Sequence, residues 1–211
     1  MGRVRSVTEE EKQRRREMIL EAAQGRFQRF GFSKTTMEEI ATDAGISKGT
    51  IYLYFPAKED IFTEIMATEA LELERLMYHA VKDEKSVRKQ LEMIFIGSIE
   101  YMEQHPFLHS TLRRDVEMVT PRILKHIFSI EDRYVSVIED YVRRGMETGE
   151  IEPHNPRLIA YVLYKIFEAF TYGYRLDEEG FDKEDVEELI PLLITKGLAP
   201  AKPKAARSKK R

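Results

Sequence analysis

The spacing of apolar residues along the chain is helical almost throughout. Over its 211 residues, apolar positions recur at steps of three and four, while the alternating runs typical of strands are nearly absent. The first predicted helix begins after Thr8, which forms a capping box with Glu11, and it ends at Gly31. The pattern therefore predicts an all-α protein.

Two short predicted helices follow the first one. One begins after Thr35 or Thr36, each of which has a glutamate three residues later, and ends at Gly45. The other begins after Ser47 and ends at Pro56, because the residue before a proline is disfavoured in the helical region. Two such helices across a tight glycine turn have the spacing of a helix-turn-helix motif.

The same pattern divides the chain into three parts. Residues 8–57 form the predicted N-terminal helix-turn-helix domain, and longer helices fill residues 58–197. A segment at 156–176 is apolar almost all round, so we expect it to be buried on more than one side. Residues 198–211 are rich in alanine, proline and lysine and predict a basic, disordered tail.

The third predicted helix has two chemically different faces. Ile51 and Phe55 lie four residues apart and face the first two helices, whereas Lys48 and Tyr52 lie on another face beside Gly49. A helix that reads DNA carries small or hydrogen-bonding residues at the end that enters the major groove. Glycine lets the backbone approach closely, and lysine, threonine and tyrosine reach base edges or phosphates. The sequence therefore predicts a recognition helix.

Nine residues are predicted to contact double-stranded DNA. They have a hydrogen-bonding group, a positive charge or small size, and they lie on the third helix or at the start of the second and fourth helices. They are Thr35, Thr36, Ser47, Lys48, Gly49, Thr50, Tyr52, Tyr54 and Lys58. The alternative is an ordinary capped surface helix with half-buried tyrosines, which the density of matching features in one short segment disfavours.

Charge is distributed unevenly along the chain. The net charge of −3 comprises +3 over residues 1–58, −12 over 59–198 and +6 over 199–211. A polyanion is therefore expected to meet the ends of the chain rather than the middle. The basic tail is either a second phosphate contact or a solubilising end. The second interpretation is favoured, because basic ends often add only non-specific attraction.

The composition excludes several classes of protein. There is no cysteine, which excludes disulfides, thiolate zinc sites and cysteine nucleophiles. The longest apolar run, Leu158 to Tyr164, is far shorter than the ~20 residues of a membrane span, and no secretory signal is visible. We therefore expect a cytoplasmic protein with no membrane partner.

Signals for catalysis or metal binding are weak. The KGT tripeptide at 48–50 has no glycine-rich loop or strand before it, and the Ser86–Lys89 spacing lacks the partner motifs of serine–lysine enzymes. His105, His109 and His126 have no carboxylate cluster around them. We therefore predict no catalytic residue, no metal site and no cofactor, and hence no enzyme.

The chain resembles the TetR-type transcriptional regulators. The matching residues are Ile19, Leu20, Ala22, Ala23, Phe27, Gly31 and Phe32, followed by TTMEEIATDAGISKGTIYLYFPAKEDIF from Thr35 to Phe62. This match spans residues 14–63 at many positions of fixed spacing. Farther on, GMETGEI from Gly145 to Ile151 is similar to a helix end common in the second domain of the family. The segment YLYF…KEDI is most similar to members that respond to fatty acyl-CoA.

The resemblance implies an all-helical homodimer in which the last two helices of each chain form a four-helix interface. It also implies that residues 58–197 are a ligand-binding and dimerisation domain whose effector pocket controls DNA binding. The predicted interface residues are Leu163, Phe167, Phe170, Leu189 and Leu193. The predicted effector-binding residues are Phe95, Tyr101, Met102, Phe107, His109, Leu112, Arg113, Phe128 and Tyr134, although such aromatic and methionine side chains belong to a core more often than to a pocket.

The sequence is therefore interpreted as a ligand-responsive transcriptional regulator. We expect a homodimeric repressor that binds a pseudo-palindromic operator through residues 47–55. A small, mostly apolar effector, such as an acyl-CoA, would release it. The alternative is a helical lipid-binding carrier or enzyme without DNA binding, which explains the apolar middle of the chain but not residues 35–58.

Overall fold

The computed structural model describes residues 8–105, 120–172 and 183–200, and these residues form helices without any strand among them. The helices up to residue 105 are α1 (Glu9–Phe30), α2 (Met37–Asp43), α3 (Lys48–Tyr54), α4 (Lys58–Val81) and α5 (Val87–Gln104). The later described helices are α6 (Pro121–Glu147), α7 (Pro156–Tyr172) and α8 (Lys183–Pro191), which is continued by a π-helical turn, Leu192–Lys196. The all-α class that the sequence predicts is confirmed.

Capping side chains set the starts of α1 and α2. The Thr8 hydroxyl accepts a hydrogen bond from the Glu11 backbone N–H, and the Glu11 carboxylate accepts one from the Thr8 N–H. Thr36 caps α2 with Glu39 in the same two-way arrangement. These bonds satisfy backbone N–H groups that have no partner inside the helix. The starts of both helices are therefore encoded within a few residues of sequence.

The chain divides into two compact units, and the boundaries between them fall inside α4, α5 and α6. The first unit comprises Met1–Arg75 and Glu100–Glu131, and the second comprises Leu76–Ile99 and Asp132–Arg211. Both units are therefore assembled from segments that are distant in sequence.

Aromatic rings form the core of the first unit. Phe27 of α1, Phe32 of the α1–α2 loop and Phe62 of α4 have ring centroids 5.2 to 6.0 Å apart, in tilted or edge-on arrangements. All three side chains are buried, as are Ile40 of α2 and Ile51 of α3. This cluster fixes the three N-terminal helices against the first turns of α4.

The second unit has its own apolar core, drawn from α5, α6, α7 and α8. Its buried members are Val87, Leu91, Phe95, Val142, Ile151, Leu163, Ile190 and Ile194. Gly145 on α6 allows a close approach here, because an added Cβ would lie 2.5 Å from Cδ1 of Ile151. The packed region extends to Leu198, which contacts this core and whose carbonyl accepts a hydrogen bond from the Glu152 N–H. Leu198 is thus more ordered than its place in the predicted tail suggests, and residues 201–211 lie outside the described chain.

Three of the five predicted interface residues have an intrachain role. Leu163 is buried in the core of the second unit, and Phe167 and Phe170 pack against Phe95 with ring centroids 6.2 Å away. Leu163 therefore faces the interior of its own chain, whereas Phe167 and Phe170 are only partly buried and their assignment to the interface stays a prediction. Leu189 and Leu193 do have exposed side chains.

None of the described helices is both long enough and apolar enough to cross a membrane.

Candidate nucleic-acid interface

Helix α3 is a short helix held on its inner side by two anchors. Ile51 and Phe55 are almost completely buried, at 0% and 1% exposure. Ser47 caps the helix, because its hydroxyl accepts a hydrogen bond from the Thr50 N–H. Gly45, just before the cap, has a φ of 66°, a left-handed conformation that favours glycine. The outer face of α3 is therefore presented to solvent by a defined turn and two buried side chains.

Arg16 of α1 fixes the C-terminal end of α3, a role that the sequence analysis missed. Its guanidinium donates to the Tyr54 carbonyl at 3.3 Å and lies 4.3 Å from the centre of the Phe55 ring. It also donates two hydrogen bonds to the Glu64 carboxylate of α4, with Nε to Oε1 at 2.6 Å. One cation thus connects three helices. The only sequence signal was the run RRR at 14–16, which does not show which arginine points inward.

The outer face of α3 is formed by small, polar and apolar side chains together. Lys48, Gly49, Tyr52 and Leu53 are exposed, and Thr50 is half-buried. Tyr52 is 44% exposed and Leu53 is 84% exposed. No single intrachain role accounts for this mixture.

Gly49 leaves open space on that face. A Cβ added to it would meet only the Ser47 Oγ, at 4.0 Å, so packing within the chain does not require glycine there. Glycine in a helix is about 1 kcal/mol less favourable than alanine. Gly49 therefore lowers the stability of the helix, and packing within the chain does not explain it. This points to a partner whose atoms approach the backbone closely at Gly49.

Polar groups on the same face already have partners in the free protein. The Lys48 ammonium is paired with the Glu38 carboxylate of α2, and this hydrogen-bonded pair raises the pKa of Lys48 and lowers that of Glu38. The hydroxyls of Ser47 and Thr50 lie 2.8 Å apart. Both arrangements are exposed, so an incoming phosphate or base edge can exchange with them at little cost.

Two predicted DNA contacts, Thr35 and Lys58, have hydrogen-bond partners within the protein. Thr35 is 1% exposed, and its hydroxyl donates to the Gly31 carbonyl at 2.8 Å. The Lys58 ammonium donates to the backbone carbonyls of Phe32 and Thr35 at 2.9 and 3.0 Å. Both side chains hold the α1–α2 loop. The buried Thr35 hydroxyl is engaged within the chain, and we expect Lys58, which is only partly buried, to position this loop rather than to bind DNA.

The remaining predicted DNA contacts lie at or near the protein surface. Thr36 is exposed beside the N-terminus of α2, and the Tyr54 side chain is half-buried at the end of α3. Lys34, in the loop that Lys58 holds, is exposed as well and was not among the predicted residues. The structure thus brings Thr36 and six residues of α3 and its cap into the same unit, with Lys34 in addition.

Among the predicted effector residues, Tyr101 belongs to a polar cluster of the first unit. Its hydroxyl donates to the Glu69 carboxylate at 2.7 Å, and its ring stacks on the His105 imidazole with centroids 3.7 Å apart. Gln24 of α1 donates to the other Glu69 oxygen at 3.2 Å. Burial, followed by the Glu69 carboxylate, raises the pKa of Tyr101. The hydroxyl that was assigned to an effector is therefore engaged within the chain.

The other predicted effector residues have diverse surroundings. Phe95 lies in the core of the second unit and Tyr134 packs against a second small cluster there, while Met102 is buried in the first unit. Phe128 is 60% exposed. Phe107, His109, Leu112 and Arg113 lie outside the described residues.

An open cleft of about 390 Å³ lies beside α3 in the first unit, bordered by Arg16, Tyr54, Asp60, Glu64 and His126 among others. It contains none of the predicted effector residues. The His126 Nε2 atom is buried without a hydrogen-bond partner, and burial lowers the pKa of this imidazole.

Comparisons with known proteins agree on one family. Residues 19–65 match the family model described as bacterial regulatory proteins, tetR family, and residues 84–191 match the tetracyclin repressor-like C-terminal domain. The chain is 29% identical over 185 residues to the helix-turn-helix transcriptional regulator YhgD of Bacillus subtilis, covering 88% of this chain and 97% of that protein. It is 31% identical over 194 residues to the regulator YfiR of Bacillus subtilis, covering 86% and 88%.

A solved structure with a similar fold is that of the transcriptional regulator FadR from Bacillus subtilis in complex with stearoyl-CoA. The superposition has a TM-score of 0.73 and covers 86% of this chain and 98% of that one, at 20% sequence identity. At this identity the likeness shows the fold.

Proposed function

The chain belongs to the TetR family of bacterial regulatory proteins, and from this premise we propose that it is a homodimeric repressor whose two α3 helices read a pseudo-palindromic operator. The regulator class follows from the family. The dimer, the operator and the effector are proposals, as is the division into a DNA-binding domain at 8–57, a ligand-binding and dimerisation domain at 58–197 and a basic tail.

The observation that carries the proposal is the outer face of α3. The inner anchors Ile51 and Phe55 leave Lys48, Gly49 and Thr50 at the first turn, where a recognition helix enters the major groove. Tyr52 is exposed and adds a hydroxyl for a phosphate oxygen. A lipid carrier or an enzyme would have no use for this arrangement.

The dimer proposal is supported by exposed apolar side chains on α7 and on the last described helical segment. Leu158, Tyr161 and Val162 are 46 to 51% exposed and lie on one face of α7 at helical spacing. Leu189, Leu192 and Leu193 are 38 to 49% exposed in the same unit. We propose that these surfaces pair across a two-fold axis. On an operator, the two recognition helices of such a dimer would lie about 34–36 Å apart, one turn of DNA.

The proposed effector is a small, mostly apolar molecule that binds within the ligand-binding domain. Its support is the fold shared with a regulator solved in complex with stearoyl-CoA. The ligand must bind more tightly to a form whose recognition helices are wrongly spaced, and a tenfold loss of operator affinity requires about 1.4 kcal/mol of differential binding. Such a repressor would act on DNA in the cytoplasm.

The experiment is a gel shift with the DNA upstream of the protein's own gene. We expect wild-type protein to bind specifically and the triple variant Lys48→Ala, Thr50→Ala, Tyr52→Ala to lose this binding while staying folded by circular dichroism. A matched triple variant at exposed positions away from α3, Thr68→Ala, Tyr78→Ala and Lys85→Ala, should bind like wild type. Intact operator binding by the α3 variant would refute its role as a recognition helix.

Titration of acyl-CoAs of increasing chain length into the complex tests the effector. Release by a polar or cationic compound, with no release by any acyl-CoA or free fatty acid, would refute the acyl proposal and leave the repressor proposal standing.

A further inference from the structure

We propose that Leu53 contacts a thymine methyl group in each operator half-site and so determines part of the sequence specificity. This inference rests on the proposed function, because it assigns a base contact to the same helix. It extends that proposal by naming the chemical group that is read.

Leu53 is 84% exposed, the highest value among the exposed large apolar side chains in the described part of the chain. The next highest, Tyr78, is 61% exposed and has a hydroxyl that water can solvate. Single exposed apolar residues are common on protein surfaces. Leu53 differs because it lies on a helix of seven residues whose other exposed positions are small or hydrogen-bonding.

Helix geometry places the Leu53 side chain beside the open space at Gly49. Residues three and four positions apart share a face, and helical side chains lean toward the N-terminus, so Leu53 covers the surface next to Gly49 and Thr50. Gly49 contributes no side chain, and a Cβ there would have no close neighbour. The Leu53 side chain therefore forms an apolar border of the open space at Gly49, and the Thr50 hydroxyl borders the same space.

The chemistry of the major groove indicates which group of the DNA would contact the Leu53 side chain. The groove edges of the base pairs display hydrogen-bond donors, acceptors and one apolar group, the C5-methyl of thymine. Leucine has no group that can bind a donor, an acceptor or a phosphate, so the methyl group is the feature it can distinguish. A base pair that enters the open space at Gly49 would bring its thymine methyl against Leu53.

The test is a thymine-to-uracil scan of an operator selected from a random DNA pool by the wild-type protein. Uracil lacks only the methyl group and keeps the base-pairing edge. We expect replacement at one thymine position of each half-site to weaken wild-type binding about fourfold per half-site, the effect of burying one apolar carbon. Leu53→Ala should weaken binding to the thymine operator and should be insensitive to uracil at that position.

Two controls separate this contact from other effects. Leu71→Ala, at a position of α4 that is 51% exposed, should keep the wild-type response to uracil. Leu53→Asn keeps a side chain of similar length, and it should lose the thymine preference as Leu53→Ala does. Folding is checked by circular dichroism, which an exposed substitution should leave unchanged.

The inference is overturned if Leu53→Ala discriminates thymine from uracil as strongly as wild type, or if no thymine of the operator is sensitive. Either result would leave the recognition helix itself intact, because specific binding would still be observed. Failure of the wild-type protein to select any DNA sequence would overturn both this inference and the proposed function.

Discussion

Helices α3 and α7 each bury one face within their own unit and expose the other, but the exposed faces differ in chemistry. On α7 the exposed side chains Leu158, Tyr161 and Val162 are large and apolar. On α3 the exposed positions differ in size and polarity within seven residues: they are Lys48, Gly49, Tyr52 and Leu53. A surface that meets another protein copy needs continuous apolar area, whereas one that enters a DNA groove needs small size and polar groups of fixed position.

Exposure of a side chain does not by itself identify its partner. Val162 and Leu53 are both exposed aliphatic side chains, but their neighbours differ: further apolar residues for Val162, and Gly49 and Thr50 for Leu53. The composition of the face around each residue therefore decides which partner is proposed.

A charge on the exposed face of α7 should abolish the proposed dimer. Val162→Asp would bury an unpaired carboxylate at the contact in both chains, at roughly 3–5 kcal/mol for each. We expect a folded monomer by light scattering at micromolar concentration, with operator affinity reduced by at least about a hundredfold. Phe167→Asp should instead unfold the protein, because Phe167 packs against Phe95 in the chain's own core. A Val162→Asp dimer as stable as wild type would contradict the assignment of this face.

Gly49→Ala should increase stability while weakening DNA binding. The added methyl has room in the free protein, so we expect the free energy of unfolding to rise by about 0.5–1 kcal/mol. Specific affinity should fall about tenfold, since one displaced base contact costs about 1–3 kcal/mol. Gly25→Ala on α1, where a Cβ also has no close neighbour, is the matched control and should stabilise without changing affinity. Equal affinity of both variants would show that DNA does not approach Gly49.

Two lysines of the first unit should differ in the salt dependence of operator binding. Lys34 is exposed and we expect it to contact a phosphate. Lys34→Ala should then reduce the slope of log affinity against log salt by about two units, one for each chain of the dimer. Lys58→Ala should leave the slope unchanged but lower the free energy of unfolding by about 1–2 kcal/mol, because the ammonium holds the carbonyls of the α1–α2 loop. A reduced slope for Lys58→Ala with unchanged stability would show that Lys58 contacts the DNA directly.

The smallest effect is expected at Glu38. Glu38→Gln removes the carboxylate that pairs with Lys48, so the ammonium becomes available to the DNA without first breaking an exposed ion pair. We expect operator affinity at low salt to rise about threefold, with the gain lost at high salt because the pair is screened. Glu74→Gln, a charge change on α4, provides the control. An unchanged affinity would indicate that Lys48 does not move to the DNA.

Short-range capping signals in the sequence predicted the starts of the first three helices, with the start of α2 left open between Thr35 and Thr36. Capping boxes at Thr8 and Thr36 and the cap at Ser47 involve partners three residues away, so their physics is contained in a short window. The anchors Ile51 and Phe55 were identified from helical spacing for the same reason, and both are buried. The all-α class and the helix-turn-helix motif follow from these local interactions.

The direction in which an individual side chain points depends on contacts that form only in the folded chain. The sequence does not distinguish the lysines Lys48 and Lys58. In the structure, the Lys58 ammonium donates to loop carbonyls 23 and 26 residues away, whereas the Lys48 side chain stays at the surface. Arg16 likewise reaches Glu64, 48 residues along the chain. On α7, two adjacent residues differ in burial: Leu163 lies in the core and Val162 is exposed. Such choices depend on partners brought together by folding, and no local pattern encodes them.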